Sequence, residues 1–417
     1  LHILRWTKMK QIDWDEIRDV LGQFGDNEYA LNALESWMTE EAYTPYREPI
    51  VSVIEEENWA LLFDSFYQML PFGTGGRRGP VGPGPNRMNP ITVRDAVQGH
   101  CLFLKERFSA DNISVVLAAD VREFKDIRGR YNGNLGDLAG ISSIDFSIIA
   151  AQIYAGNGIA VHMLDPGLAT FLSTPELSFL IRHLRAQGGL NMSASHNHPD
   201  DNGAKFYSDE GGQEVPPQDE ELVLAASGVD EISTMDYDEA VSRGLINFIS
   251  DEARLAYLSL HEQVSLTSSR DARVIFSPLH GTGLTTVYPV LKEAGFHVDL
   301  VEEQMSFDGS FPTVPMVSPN PELPRAMEIA IALGKKLDAD LALATDPDAD
   351  RLGLAAPDKS GRWACFTGNQ IGVLLLSHAM ENRSEDTDGG FAIRTGVTTA
   401  LFSRLAQAHG LKCFDDL

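Results

Sequence analysis

Six short apolar runs, bounded by glycine, proline or polar turn residues, constrain the fold more than any other feature of the chain. They are SVVLAAD (114–120), GIAVHML (158–164), GLNMS (189–193), ARVIFS (272–277), HVDLVE (297–302) and DLALAT (340–345). Short apolar runs of this kind read as strands buried on both faces, as in parallel sheets. Segments with helical spacing stand between them. Over 174–188 Thr174 is placed to cap, Pro175 takes the first helical position, Leu177, Leu180, Ile181 and Leu184 form one face, and Gly188-Gly189 stops the helix. TTVYPVLKEAG (285–295) and residues 321–334 read as further helices, and NQIGVLLLSHAM (369–380) opens another unit near Gly368. Strands alternating with helices predict an α/β protein, with ligands at the carboxyl ends of the strands.

Two regions stand apart. Residues 10–68 read as helical and acidic, as in WDEIRDVLGQF and ENWALLFDSFYQML, and look like an N-terminal helical appendage. Residues 71–90, PFGTGGRRGPVGPGPNRMNP, are so rich in glycine and proline that a long irregular loop is expected, carrying Arg77 and Arg78. A chain of 417 residues suggests two to four domains. No run of about 18 apolar residues is present, so no membrane span is expected. No basic, apolar leader follows Leu1, and Cys101, Cys365 and Cys413 are widely spaced, so a cytoplasmic protein without disulfides is expected. The formal charge of −27 repels polyanions, which argues against nucleic acid and anionic membranes as partners. Neither composition nor motifs specify an oligomeric state.

Candidate chemistry begins at DPDADR, where Asp346, Asp348 and Asp350 follow an apolar strand at i, i+2 and i+4. In an extended segment these side chains share one side, and three carboxylates so placed require a cation, for which oxygen-only ligands favour Mg²⁺ or Ca²⁺. An EF-hand is excluded by Arg351 at its sixth position and Pro357 at its twelfth. A phosphatase attacking through Asp346 fits poorly, because Ala349 and Arg351 break its motif. The second candidate is NMSASHNHPDDNGAKFY (191–207). Ser195 is displayed there beside His196, with Asn197, Asn202 and Lys205 nearby; alone such a serine is more often a turn residue than a nucleophile, and His196 with His198 is a weak zinc pair. A phosphorylated Ser195 would carry nearly two negative charges, which a metal and arginines would balance. HGTG (280–283) has no GxSxG partner and reads as a tight strand-to-helix turn. FGTGGRRG (72–79) lacks the lysine and spacing of a nucleotide P-loop, yet its glycines suit close approach of Arg78 to a phosphate.

In order along the chain, FGTGGRRG with GPGPNRMN, STPELSFLIRHL, SASHNHPDDNGAK, FSPLHGTG, FPTVPMVSPNPE, ATDPDADRLG and TGNQIGVLLL resemble the α-D-phosphohexomutase superfamily, in its phosphoglucomutase/phosphomannomutase type with an N-terminal helical extension. The resemblance implies successive α/β domains with mixed sheets: an extension over 1–68, domain I with the phosphoserine loop over 69–240, domain II with the metal loop over 241–358, and the start of domain III over 359–417. It implies a mutase interconverting hexose 1-phosphate and 6-phosphate through a phosphoserine at Ser195 and a sugar bisphosphate, or alternatively a phosphopentomutase, a bisphosphate synthase or a non-catalytic relative. It assigns one Mg²⁺ to Asp346, Asp348, Asp350 and phosphorylated Ser195, charge and proton roles to Arg78, Lys205 and His196, and phosphate binding to Thr74, Arg351 and Arg394. Partners are then small sugar phosphates.

Three departures from the family pattern stand out. His198 occupies the place of a proline, Arg394 stands for a lysine, and the specificity loop and fourth domain of the family would lie beyond Leu417. Residues 1–417 alone are therefore expected to turn over little substrate.

Overall fold

The computed structural model describes residues 12–26, 28–73, 75–108, 112–168, 170–229, 231–382 and 390–416. The chain forms two compact units, Leu1–Ala253 with Asp308–Pro312, and Arg254–Phe307 with Thr313–Leu417. Among the described residues no helix is long and apolar enough to cross a membrane.

In the first unit, helices Trp14–Leu21, Glu28–Thr39, Arg47–Glu55 and Trp59–Phe66 precede the sheet. Asp13 caps the first by accepting from the N–H groups of Asp15 and Glu16, both at 3.1 Å. Ile17, Leu21, Leu34, Trp37, Ile50, Leu62 and Phe66 bury their side chains in the same core as Val93, Val97, Leu117, Leu190 and Phe206. The helical segment thus shares its core with the sheet.

That sheet contains β1 (Phe72–Gly73), β2 (Gly76–Pro80), β3 (Ser114–Ala119), β4 (Ala160–Met163), β5 (Gly188–Met192), β6 (Asp201–Ser208) and β7 (Ile246–Phe248), in the order β1-β2-β6-β5-β3-β4-β7. Strands β5, β3, β4 and β7 are parallel, and β6 and β2 extend the sheet antiparallel. Two strands therefore lie where an irregular loop was expected. The glycines are the reason: a Cβ on Gly76 would come within 2.2 Å of the Ala204 carbonyl oxygen, so only a bare strand can pair this closely with β6. The helix expected over 174–188 spans Thr174–Leu184. Ser173, one residue earlier than expected, caps it by accepting from the Glu176 N–H at 3.3 Å, and Thr174 instead accepts from the Asn191 side-chain amide at 2.7 Å. Arg185, left-handed at φ 56°, ends it before Gly188, which is needed in β5.

In the second unit, β8 (Arg273–Ser277), β9 (His297–Leu300), β10 (Leu341–Thr345), β11 (Leu352–Pro357) and β12 (Trp363–Phe366) form a sheet of order β12-β11-β10-β8-β9. Strands β10, β8 and β9 are parallel; β11 and β12 fold back antiparallel. The helix expected from 321 begins only at Glu328, because Pro321 and Pro324 hold the preceding stretch in turns, and it runs to Leu337. Further on, parallel β13 (Phe391–Thr395) and β14 (Lys412–Asp416) pack with helices Gly368–Asn382 and Ala400–Ala408 around Leu376, Ala392, Ala406 and Leu411. Mixed sheets with helices thus recur through both units, the α/β architecture that the strand–helix alternation predicts.

Candidate functional site

The Ser195 loop leaves the carboxyl end of β5, between parallel β3 and antiparallel β6. Ser195 adopts a left-handed backbone, φ 53°, a conformation that a side chain other than glycine visits only when its surroundings hold it there. Three contacts define it. The Ser193 hydroxyl accepts the Ser195 N–H at 2.9 Å, Ser195 Oγ lies 3.2 Å from His196 Nδ1, and Arg122 donates to the Ser195 carbonyl at 2.6 Å.

Arg122 is the residue that the sequence reading missed. Its side chain is 1% exposed, and its guanidinium fans out to four backbone carbonyls of this loop: Ser195 at 2.6 Å, Asn197 at 2.8 Å, His198 at 2.6 Å and Asp201 at 3.1 Å. Asp120 neutralises it through Nε at 3.1 Å and is itself held by the Ser143 hydroxyl at 2.7 Å. Phe311 covers the guanidinium at 5.3 Å. The sequence signal was faint: an Asp-x-Arg at the carboxyl end of a parallel strand, inside AADVREFKD.

The far side of the loop is fixed by Asp200, whose carboxylate accepts from the N–H groups of Ile127 at 2.9 Å and Arg128 at 2.7 Å. Asn197 donates to Asp201 at 3.1 Å, and Asn202 to Ser143 at 3.0 Å. His198 closes the turn in a way no proline could, its Nδ1 accepting the Asp200 N–H at 3.1 Å. The ring also lies 3.7 Å from the Asp200 carboxylate, which would suit a protonated histidine. The N–H bond to Nδ1 requires the neutral ring, and burial, followed by the Arg128 guanidinium, holds its pKa below the ordinary histidine value against the opposing pull of Asp200 and Asp201. A lowered folded-state pKa means the unfolded chain takes the proton first as pH falls, so the contribution is complete above the ordinary histidine pKa of about 6.5 and is lost as pH falls through the lowered folded value. His198→Ala is accordingly expected to cost about 1 kcal/mol at pH 7.5, and melting-temperature differences from wild type should shrink toward pH 5. A difference that does not change with pH would contradict this.

Arg78 and Lys205 meet on one sheet face. Arg78 pairs with Gly203 and Gly76 pairs with Lys205, so each basic side chain faces a glycine across the β2–β6 ladder. A Cβ on Gly203 would lie 2.5 Å from the Ser193 carbonyl oxygen and 3.3 Å from Arg78 Cβ, so this glycine lets both the cation and the loop root sit against β6. The two adjacent arginines part company: Arg78 is exposed, whereas Arg77 is buried against the Phe72 ring at 4.4 Å. Thr74 lies outside the described residues.

In the second unit, Asp346 and Asp348 are fully buried and Asp350 is exposed, with one oxygen of each within 4.8 Å of the others. A turn gathers them, where strand alternation was expected: Ala349 is left-handed at φ 55° and its N–H bonds the Asp346 carbonyl at 3.0 Å, while the Arg351 N–H reaches Asp346 Oδ1 at 3.1 Å. Three carboxylates this close, two of them away from water, form an oxygen-only donor set that fits a hard divalent cation. HGTG braces this turn. Thr282 N–H donates to the Pro347 carbonyl at 2.8 Å, and a Cβ on Gly281 or Gly283 would come within 2.4 Å of Pro347 Cα or 2.2 Å of Thr345 Oγ1. Gly281→Ala should therefore displace the acidic turn and weaken Mg²⁺ binding at least roughly tenfold, measured by calorimetric titration; unchanged affinity would show that the brace is dispensable.

Arg351 lies 3.6 Å from Glu322. Arg394 in β13 is engaged by its cross-strand partner: it makes a two-pronged pair with Asp415 at 2.7 and 2.9 Å and donates to the Thr398 carbonyl at 2.8 Å.

Residues 140–231 match the family model described as phosphoglucomutase/phosphomannomutase, alpha/beta/alpha domain I, and residues 256–361 match that for domain II. The chain is 35% identical over 357 residues to a phosphoglucomutase of Staphylococcus saprophyticus, covering 84% of this chain and 60% of that protein. It is 30% identical over 381 residues to a phosphomannomutase of Mycoplasmoides pirum, covering 90% and 65%. The chain thus spans about three fifths of the length of these relatives. Among solved structures, a phosphoglucomutase/phosphomannomutase family protein from Burkholderia thailandensis superposes with a TM-score of 0.62 at 18% identity, covering 82% of this chain and 65% of that one. The open form of the Paramecium phosphoprotein parafusin, a phosphoglucomutase, gives 0.60 at 18% identity, covering 82% and 61%. These two likenesses speak for the fold.

Proposed function

We propose, because the chain belongs to the α-D-phosphohexomutase superfamily, that it works as a phosphosugar mutase whose phosphoryl carrier is Ser195. The observation that carries this reading is the Ser195 loop itself: a hydroxyl held in a strained conformation at a strand end, 3.2 Å from a histidine nitrogen, on a backbone gripped by Arg122.

The reaction is a pair of phosphoryl transfers. A free hydroxyl oxygen of a hexose monophosphate attacks the phosphorus on Ser195; the bond from phosphorus to Oγ breaks, the hydroxyl gives up its proton, and Oγ regains one. The bisphosphate turns round, Ser195 Oγ attacks its other phosphorus, and the isomeric monophosphate leaves. When Ser195 is the attacking group, His196 Nδ1 is the proton acceptor within reach. Arg78 and Lys205, side by side on one sheet face, balance the charge of the phosphoryl group. Asp346, Asp348 and Asp350 would hold a Mg²⁺, which when bound would supply further neutralisation of phosphoryl charge. The relatives named phosphoglucomutase and phosphomannomutase fit this one chemistry, differing in the hexose.

Incubation with glucose 1,6-bisphosphate labelled in both phosphates tests the proposal. One labelled phosphoryl group per chain is expected with Mg²⁺, and EDTA should slow the uptake at least roughly a hundredfold. No uptake in either condition would reject the reading.

A further inference from the structure

A cavity of about 290 Å³ opens in the first unit between the N-terminal helices and the helix Pro90–Arg107, lined among others by Tyr29, Trp37, Tyr43, Asn32, Ser36 and Asp95. Its volume is at the lower end of small-molecule pockets. Trp37 and Tyr43, stacked on each other at 4.6 Å with their planes 14° apart, give its lining an aromatic part, and Tyr29 and Met69, both nearly half exposed, contribute its accessible part. Asn32, Ser36 and Asp95 bring hydrogen-bonding groups to the same space.

Beside it lies Arg77. Its side chain comes off β2 on the face opposite Arg78, is 6% exposed, and donates to the carbonyl of the lining residue Thr92 at 3.4 Å. Its Nε finds no acceptor among the described residues. Burial lowers its pKa to about 10, with Asp95 and Tyr29 opposing, and burial also raises that of Asp95, with Arg77 opposing. Arg77 and Asp95 therefore act on each other as opposite charges that offset in part.

We propose that this cavity binds an unphosphorylated pyranose, at the end of or within a short saccharide. Offset charges disfavour both a free anion and a free cation. The amide of Asn32, an acceptor on Asp95 and the dual-role hydroxyl of Ser36 match the alternating donors and acceptors of ring hydroxyls. The aromatic part of the lining matches the apolar C–H face of the ring. The proposal goes beyond the mutase reading and does not depend on it.

Maltose titrated calorimetrically into the chain, with D-glucose and adenosine as comparison ligands, tests it. Saturable binding of maltose at one site is expected, unchanged by Ser195→Ala and by saturating glucose 1,6-bisphosphate. Tyr29→Ala, at a half-exposed position, and the isosteric Asp95→Asn should each weaken it at least roughly tenfold, and Tyr29→Ala should melt like wild type. Absence of saturable binding, binding that survives both substitutions, displacement by glucose 1,6-bisphosphate, or preference for adenosine would each overturn the proposal.

Discussion

Ser195→Ala is expected to abolish phosphoryl uptake from labelled glucose 1,6-bisphosphate, lowering the initial rate at least roughly a thousandfold, while the protein melts within about 1 kcal/mol of wild type. The two halves of this expectation have separate physical grounds. Alanine accepts the left-handed backbone at position 195 no worse than serine does, the Ser193 hydroxyl still receives the N–H of residue 195, and Arg122 still holds the carbonyl. Oγ and its contact with His196 are removed. A fold that survives with its uptake gone locates the chemistry in one atom. Undiminished uptake would mean that another group carries the phosphoryl and that the strained serine is a structural turn.

The second large effect is expected at Arg122. Arg122→Met keeps much of the buried aliphatic volume and removes every donor, so four loop carbonyls lose the hydrogen bond Arg122 supplies and the fully buried Asp120 loses its counter-charge. Breaking a buried pair in this way costs about 3–5 kcal/mol, which a denaturant melt will read. Arg122→Lys restores the charge but cannot reproduce a planar fork spread over four oxygens. It should regain a good part of the stability and little of the phosphoryl-transfer rate. That split is what a positioning role demands: if the lysine variant recovered rate and stability together, Arg122 would matter only as a charge buried beside Asp120.

What could be read in the sequence was whatever local pattern controls. The buried parallel strands announced themselves through uninterrupted apolar runs, and DPDADR through its spacing, because these depend on neighbours in the chain. The β1–β2 hairpin was misread since glycine signals looseness locally, whereas Gly76 and Gly203 are bare to admit a partner strand from over a hundred residues away. The acidic triple was recognised for a reason that needed correction: a left-handed Ala349 folds the carboxylates together, and alternation has no part in it. Arg122 was invisible because its role lies in reaching carbonyls 73 to 79 positions onward. His198 shows the middle case. As an outlier in a proline's place it was evident at once, but only the Asp200 N–H pointing at Nδ1 shows how the loop replaced a ring constraint with a hydrogen bond.

Peptide mapping by mass spectrometry, after incubation with glucose 1,6-bisphosphate and Mg²⁺, tests the central claim most directly. The account predicts a single phosphorylated site, on the hydroxyl of Ser195. An acid-stable phosphate on any other residue, or an acyl phosphate trapped on Asp346, would contradict it.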